Sequence, residues 1–470
     1  MSRKTLIIII SALFILLLGI GVYLYFKRPA TFLGIGIFPG EGPSGEVVDI
    51  VGGGEETNII VPITGEVAPP ARLYELHKSP GAGGAFFEMG IPVITPATKK
   101  TVKKAPLIPH TVSARYIERG LGHIFETSLE ALRAQLSSQS SPSAETRISN
   151  ETHSRLIEAL WGNNGGSVVI RSLDTSPEDI IKTRIINLSA PFLSFKQGTS
   201  TENTSESTFL SAEEVFLLDN IPFMAMAEDG KDSLFYLENG ESYSAGAITN
   251  FKNAGATRIF TSSFTEWLPQ FPNQNLITLS TRPSGEIPGY LFFLNPKTKT
   301  LTKILDGISG LTTKTSPDGK YVLYSTSKNN SFDLSVYNIA KNETLPLLVK
   351  TLPEKCVWSK KETSVVYCAV PQIFTPTLYP DRWYQGLVSF SDSVWKIDTT
   401  SARAEIIFSP EELDAPSLDI INPTLPSDDS YLLFMNKVTG TPWVYFLTGA
   451  APPPVATTAA PFTKTLITST

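Results

Sequence analysis

Cysteine and histidine are scarce in this chain, with two and four in 470 residues. No Cys-x-x-Cys spacing occurs, so neither thiol redox catalysis nor a zinc knuckle is suggested. His77, His110, His123 and His153 are scattered without metal-ligand spacing and are expected to be surface or hydrogen-bonded residues, giving no metal site. Charge is sparse as well. Charged residues make up 18% of the chain, the net charge is −6, and no extended basic face is present to hold nucleic acid. The densest basic run, Lys99–Lys104, sits in a Pro/Thr-rich stretch and reads as a solvated loop, with contact to anionic lipid or polymer as the alternative. Catalytic signatures are missing too. No Gly-x-Ser-x-Gly elbow occurs. "GGGEE" lacks the Lys-Ser/Thr pair of a phosphate loop, and no cofactor motif is found. "SPDG" at Ser316 is one spacer short of a Ser-x-Asp-x-Gly box, so it is a turn. After Phe26 the only helical pattern is Ser128–Gln135.

What is present begins with an uncharged apolar run, Thr5–Phe26, between Arg3/Lys4 and Lys27/Arg28. At about 1.5 Å per residue it spans the ~30 Å hydrocarbon layer. It is too long for a signal-peptide core, no small-residue cleavage site follows, and Tyr23 and Tyr25 fall where an interfacial belt places them. Residues 5–26 therefore read as a single-pass anchor. Positive charge flanks both ends, so orientation rests on the short N-terminal flank, which favours a cytoplasmic N-terminus. Residues 27–70, rich in Gly and Pro, read as a flexible linker, and 450–470 as a disordered Pro/Thr-rich tail.

Between them, over 71–449, a short unit repeats. "SPDGKYVLYS" joins a Pro-Asp-Gly turn to a β-branched, aromatic strand. The same turn-then-strand pattern opens at Gly162, Ala227, Pro272, Ser359 and Pro426, with a weak copy at His77. The turns lie near 165, 230, 273, 319, 362 and 429; three gaps are about 43–46 residues, the period of a four-stranded propeller blade. The two longer gaps hold insertions, Lys196–Thr208 and Phe374–Gly386. The last unit stops after "TPWVYFL", one strand short, while "RLYELH" before the first unit is a strand without a blade. Pairing the two closes the ring and removes both edges. The expected fold is all-β: a seven-bladed propeller of four-stranded blades, from about Arg72 to Leu447.

"SPDGKYVLY", Trp358-Ser359 followed after a short spacer by Val365-Val366-Tyr367, Trp161-Gly162 before Ser167-Val168-Val169-Ile170, and Trp267 together resemble the WD-repeat-like blades of TolB-type propellers. The resemblance implies a rigid disc with a binding role and no particular chemistry. The chain departs from secreted TolB-type proteins in its own N-terminal anchor. Trp161, Trp267 and Trp358 recur at one blade position and are expected to pack between blades.

Cys356 and Cys368 stand equidistant from a turn at Glu362, so in a regular hairpin they face each other, with Thr313 and Ser325 in the matching places of the preceding blade. They form either a disulfide, which implies an exocytoplasmic setting, or a pair of buried thiols. The connection "FTPTLYPDRWYQGLVSFSD" in blade six carries Tyr379, Arg382, Trp383 and Tyr384, residue types enriched in binding hot spots. It either caps the central channel or presents these residues to a partner. The expected function is a membrane-anchored, exocytoplasmic binding or scaffold module of the cell envelope, taking a protein or glycan. The alternative is a surface polysaccharide hydrolase or lyase with acids at the channel mouth.

Overall fold

A strand with neighbours packed against both faces has to be apolar throughout, and Val365–Pro371 is buried at every residue. Tyr431–Asn436 has the same character. In the computed structural model, which describes residues 72–90, 110–137, 143–175, 179–188 and 209–448, such strands lie second from the centre of seven four-stranded antiparallel sheets. The innermost strands, in blade order, are Gly81–Met89, Leu156–Gly162, Met224–Met226, Trp267–Asn273, Thr313–Thr315, Cys356–Trp358 and Ile420–Thr424. Buried side chains fill the space between each blade and the next. Leu323, Leu334 and Val336 of blade five meet Trp358, Val366 and Ile397 of blade six. Phe86, Val112 and Tyr116 of blade one meet Tyr431, Leu433 and Val444 of blade seven, which completes the ring.

The resemblance to WD-repeat-like propellers thus holds for the fold. All six regular turns precede second strands as expected: Ser167–Leu173, Leu234–Asn239, Leu276–Thr281, Tyr321–Lys328, Val365–Pro371 and Tyr431–Asn436. The weak copy at His77 is out of phase. Gly81–Met89 is the innermost strand of blade one and pairs with Thr111–Glu118, so the first-to-second connection lies after Met89. Glycine-rich sequence had suggested a turn, but Gly83 and Gly84 sit inside the strand, where a Cβ on Gly83 would come 2.2 Å from the Ala159 carbonyl oxygen of blade two. The helix expected at Ser128–Gln135 is Leu129–Ser137. The segments expected to be an anchor (5–26), a linker (27–70) and a tail (450–470), the insertion Lys196–Thr208 and the basic run Lys99–Lys104 lie outside the described residues. Among the described residues no helix is long and apolar enough to cross a membrane.

Ring closure uses the first and last strands of the propeller as expected. Leu73–Glu75 is the outermost strand of blade seven, with Leu73 facing Tyr445 and Glu75 facing Trp443. Ladder bonds run from Leu76 N–H to Pro442 O and from Phe446 N–H to Arg72 O, both 2.9 Å, so Tyr74 opposite Val444 occupies a hydrogen-bonded position. Its ring meets Phe446 edge-on at 5.4 Å. Tyr74→Pro removes the ladder N–H and this packing, and is expected to destabilise the propeller by roughly 2–4 kcal/mol in denaturant unfolding. A loss below about 0.5 kcal/mol would show that the closing strand contributes little.

Candidate functional site

The blade-six connection joins the second and third strands of its blade and carries the short helix Asp381–Tyr384. It runs over one face of the disc toward blades five and four. Thr377 N–H donates to Asn330 O at 2.9 Å, the Ser327 hydroxyl donates to Tyr379 O, and Gly285 N–H donates to Asp381 Oδ2 at 2.7 Å. A Cβ at Gly285 would come 2.5 Å from Tyr379 O, so only glycine lets the connection seat there. Toward blade seven, Lys437 Nζ donates to Trp383 O and lies 4.2 Å from the indole centroid. The connection is thus tied to four blades.

The four residues expected to bind a partner divide sharply. Tyr379 and Trp383 are buried in an aromatic cluster with Phe332, Leu352 and Phe390. Arg382 is exposed. Tyr384 is 43% exposed, yet its hydroxyl donates to Glu354 Oε1 at the channel. Burial pushes the Glu354 carboxyl up to about 7. The geometry is that of a cap: Tyr379 and Trp383, four positions apart, point down and hold it, while Arg382 and Tyr384 on either side of Trp383 are exposed.

Under the cap lies an ion cluster that sequence reasoning missed. Lys355, wholly buried, places Nζ 2.8 Å from Asp392 Oδ2, 2.6 Å from Asp419 Oδ1 and 2.8 Å from Ile420 O. All three ammonium protons have acceptors. Asp419 Oδ2 also accepts from Trp383 Nε1 at 3.1 Å and Phe390 N–H at 3.2 Å. Asp392 accepts from Ile420 N–H at 2.7 Å, but its Oδ1 has no partner. Burial pushes the Asp392 carboxyl up to about 6, with Lys355 opposing. The only sequence signal was a charged residue inside an apolar run, as in Leu418-Asp419-Ile420, which does not distinguish a buried ion from a turn.

Beside the cap is an open groove of about 670 Å³ at blade four. Trp267 forms its buried floor, held edge-on by Phe260, Phe264 and Phe292 at 5.7, 5.1 and 5.6 Å. Ile287, Phe264 and Tyr290 stand exposed on its walls, at 63%, 43% and 38%. Glu266 and Arg282 pair across the rim at 3.1 Å, and Asp381 of the cap closes one end. Trp267 therefore opens its strand, facing Thr281, whereas Trp161 and Trp358 lie near the ends of theirs, facing Val168 and Val366. The expectation of one shared blade position holds for Trp161 and Trp358 only. Trp358 reaches the preceding blade by donating to Lys314 O at 3.3 Å.

The opposite mouth of the channel, about 450 Å³, is ringed by first-to-second hairpins. Its carboxylates are engaged: Glu228 with Lys314 at 2.9 Å, Glu88 with His110 at 2.9 Å, and Asp229 with the N–H groups of Lys231 and Gln274. Cys356 and Cys368 face each other with Cα atoms 4.0 Å apart and are joined as a disulfide, buried between blades five and six. The matching pair in blade five is shifted. Its hairpin is one residue shorter, so Thr313 faces Tyr324, and Ser325 bonds to Thr312 at 2.9 Å.

No family model matches this sequence, and no curated protein does. Solved structures do. An oligogalacturonate lyase from Vibrio parahaemolyticus is 8% identical with a TM-score of 0.45, covering 73% of this chain and 88% of its own. The Neurospora crassa Pan2 WD40 domain is 9% identical with a TM-score of 0.42, covering 81% and 97%. TolB from Acinetobacter baumannii is 10% identical with a TM-score of 0.38, covering 72% and 76%. The likeness is one of fold. Function has to be argued from the groove and the cap.

Proposed function

We propose that the chain is a binding or scaffold module of the cell envelope, anchored by residues 5–26 with its propeller on the exocytoplasmic side, and that a partner protein docks in the blade-four groove. The observation that carries this reading is the groove itself: exposed Ile287, Phe264 and Tyr290 over a rigid tryptophan floor, walled by a cap that is tied to four blades. Such a lining favours an extended segment with apolar anchor side chains over a glycan, whose hydroxyls would find few polar partners there. Glycoside hydrolysis in its usual form needs two reachable carboxyls roughly 5–9 Å apart. Asp392 and Asp419 converge on Lys355 but are wholly buried, and the mouth carboxylates described above are already engaged, which favours binding.

Trp383 is buried, so a photo-crosslinker belongs at Tyr290, with Ile406 on the outer strand of blade six as the exposed control. In intact cells the full chain is expected to yield a discrete protein adduct from position 290 and none from 406. Ile287→Asp should reduce that adduct at least about tenfold while leaving the melting temperature within roughly 2 °C of wild type. An adduct insensitive to Ile287→Asp, or none, would overturn the assignment of the groove.

A further inference from the structure

Each of the four histidines stands near a glutamate. His77 Nδ1 lies 2.7 Å from Glu145, His110 Nε2 2.9 Å from Glu88, and His123 Nδ1 3.9 Å from Glu118. His153 is different, because it sits between two. Glu151 Oε2 is 3.7 Å from Nε2 and Glu214 Oε1 is 3.5 Å from Nδ1, both longer than a good hydrogen bond. The residue is only 7% exposed, yet Nε2 has no hydrogen-bond partner. A buried polar atom left in that state calls for an explanation. One imidazole nitrogen and one oxygen from each carboxylate fall within 4.8 Å of one another.

We propose that Glu151, His153 and Glu214 form a binding site for a divalent transition-metal cation of the zinc class. Two carboxylates and an imidazole are a borderline donor set, better matched to Zn²⁺ or Mn²⁺ than to Ca²⁺ or Mg²⁺, which favour oxygen alone. Ligand atoms about 2.0–2.2 Å from such an ion stand roughly 3.3 Å apart in a tetrahedron. The observed spacings have to close modestly, and the parts that must move can do so: the Glu151 and Glu214 side chains are 48% and 31% exposed.

The backbone that carries the histidine is held in place. The main-chain N–H of His153 donates to Leu121 O at 2.7 Å, and Gly122, in the left-handed region at φ 72°, lies so close that a Cβ there would be 2.4 Å from His153 O. A buried imidazole on a held backbone, with two partly exposed carboxylates, suits a site that closes around its ion. Arg184, on the third strand of blade two, also faces His153, with its guanidinium 5.6 Å from the Phe216 ring centroid. Two carboxylates against this one guanidinium still leave the cluster anionic. Glu151 and His153 belong to the connection from blade one, and Glu214 to the outermost strand of blade two, Ala212–Phe216. A bound ion would therefore pin that connection to the rim of the disc.

The test is equilibrium dialysis of the purified full chain, stripped with chelator, against ZnCl₂, with CaCl₂ in parallel. Wild type is expected to take up about one equivalent of Zn²⁺, at least tenfold more tightly than Ca²⁺, and to melt higher with Zn²⁺ present. Glu214→Gln and Glu151→Gln, both at partly exposed positions where folding is undisturbed, should each weaken Zn²⁺ binding at least about tenfold, and the double variant should lose the thermal shift. Co²⁺ in place of Zn²⁺ should give visible absorption bands that the double variant lacks. Uptake by wild type below about 0.1 equivalent at 100 μM free Zn²⁺, unchanged binding in the double variant, or tighter binding of Ca²⁺ would each overturn the proposal.

Discussion

Replacing Trp383 by alanine is expected to lower the stability of the propeller by about 3–5 kcal/mol, while Arg382→Ala, one position earlier in the same short helix, should cost less than about 1 kcal/mol. The difference follows from which way the turn faces. The Trp383 ring is 4% exposed, stacks on Phe390 at 6.1 Å, and donates to Asp419 from Nε1. Its loss leaves a cavity beneath the cap and removes one of the donors that hold a buried carboxylate. Trp383→Phe should recover most of the packing without that donor, so it should fall between the two. Denaturant unfolding monitored by far-UV circular dichroism measures all three. If Trp383→Ala and Arg382→Ala proved equally mild, the cap would not be a structural element, and both residues would return to consideration as a recognition surface.

The second large effect is expected at Lys355. Lys355→Met leaves Asp392 and Asp419 buried without their counter-ion, and at pH 7 should destabilise the fold by about 3–5 kcal/mol. The loss should shrink on acidification. In the native protein burial already pushes the Asp392 carboxyl up to about 6, above its ordinary value of 3.8. Between these values the folded state binds the proton more tightly than the unfolded chain, so this group stabilises the fold more as pH falls from 7 toward 4. The contribution is fully present below about 4 and is lost as pH rises through about 6. Removing the ammonium takes away the influence that holds the value down, so the variant should gain more from acid than wild type does. Unfolding midpoints of both proteins at pH 7 and pH 5 decide this. A gap between them that does not change with pH would mean the carboxyls remain ionised without Lys355.

These two effects also mark how far the sequence could be read. The blades were legible because each is a local object. A turn such as Ser316–Gly319 followed by Tyr321–Lys328 is encoded within some dozen residues, and its copies recur at blade spacing. Closure was legible from the count of strands, since one surplus strand at Leu73–Glu75 and one missing strand after Phe446 had to meet. The opposition of Cys356 and Cys368 across one hairpin was likewise local. The reading failed where local composition misled, as at Gly81–Gly84, whose glycines admit the neighbouring blade and make no turn.

The candidate sites were less legible. Tyr379, Arg382, Trp383 and Tyr384 were recognisable as one notable segment, but their division into anchors and exposed residues depends on which neighbours the connection meets. Lys355, Asp392 and Asp419 come from three separate segments, as do the walls of the groove, where Phe264, Ile287 and Asp381 meet. Glu214 reaches His153 only because an outermost strand lies beside an inter-blade connection.

The sequence by itself determined the strand repeat, the ring closure and the hairpin cysteines, because those rest on contacts between residues close in the chain or on the count of strands. Tertiary structure alone decided what is cap, what is groove and which charges are buried. Those depend on the packing of residues tens of positions apart, where a side chain's free energy is set by the dielectric and partners around it and not by its neighbours in sequence.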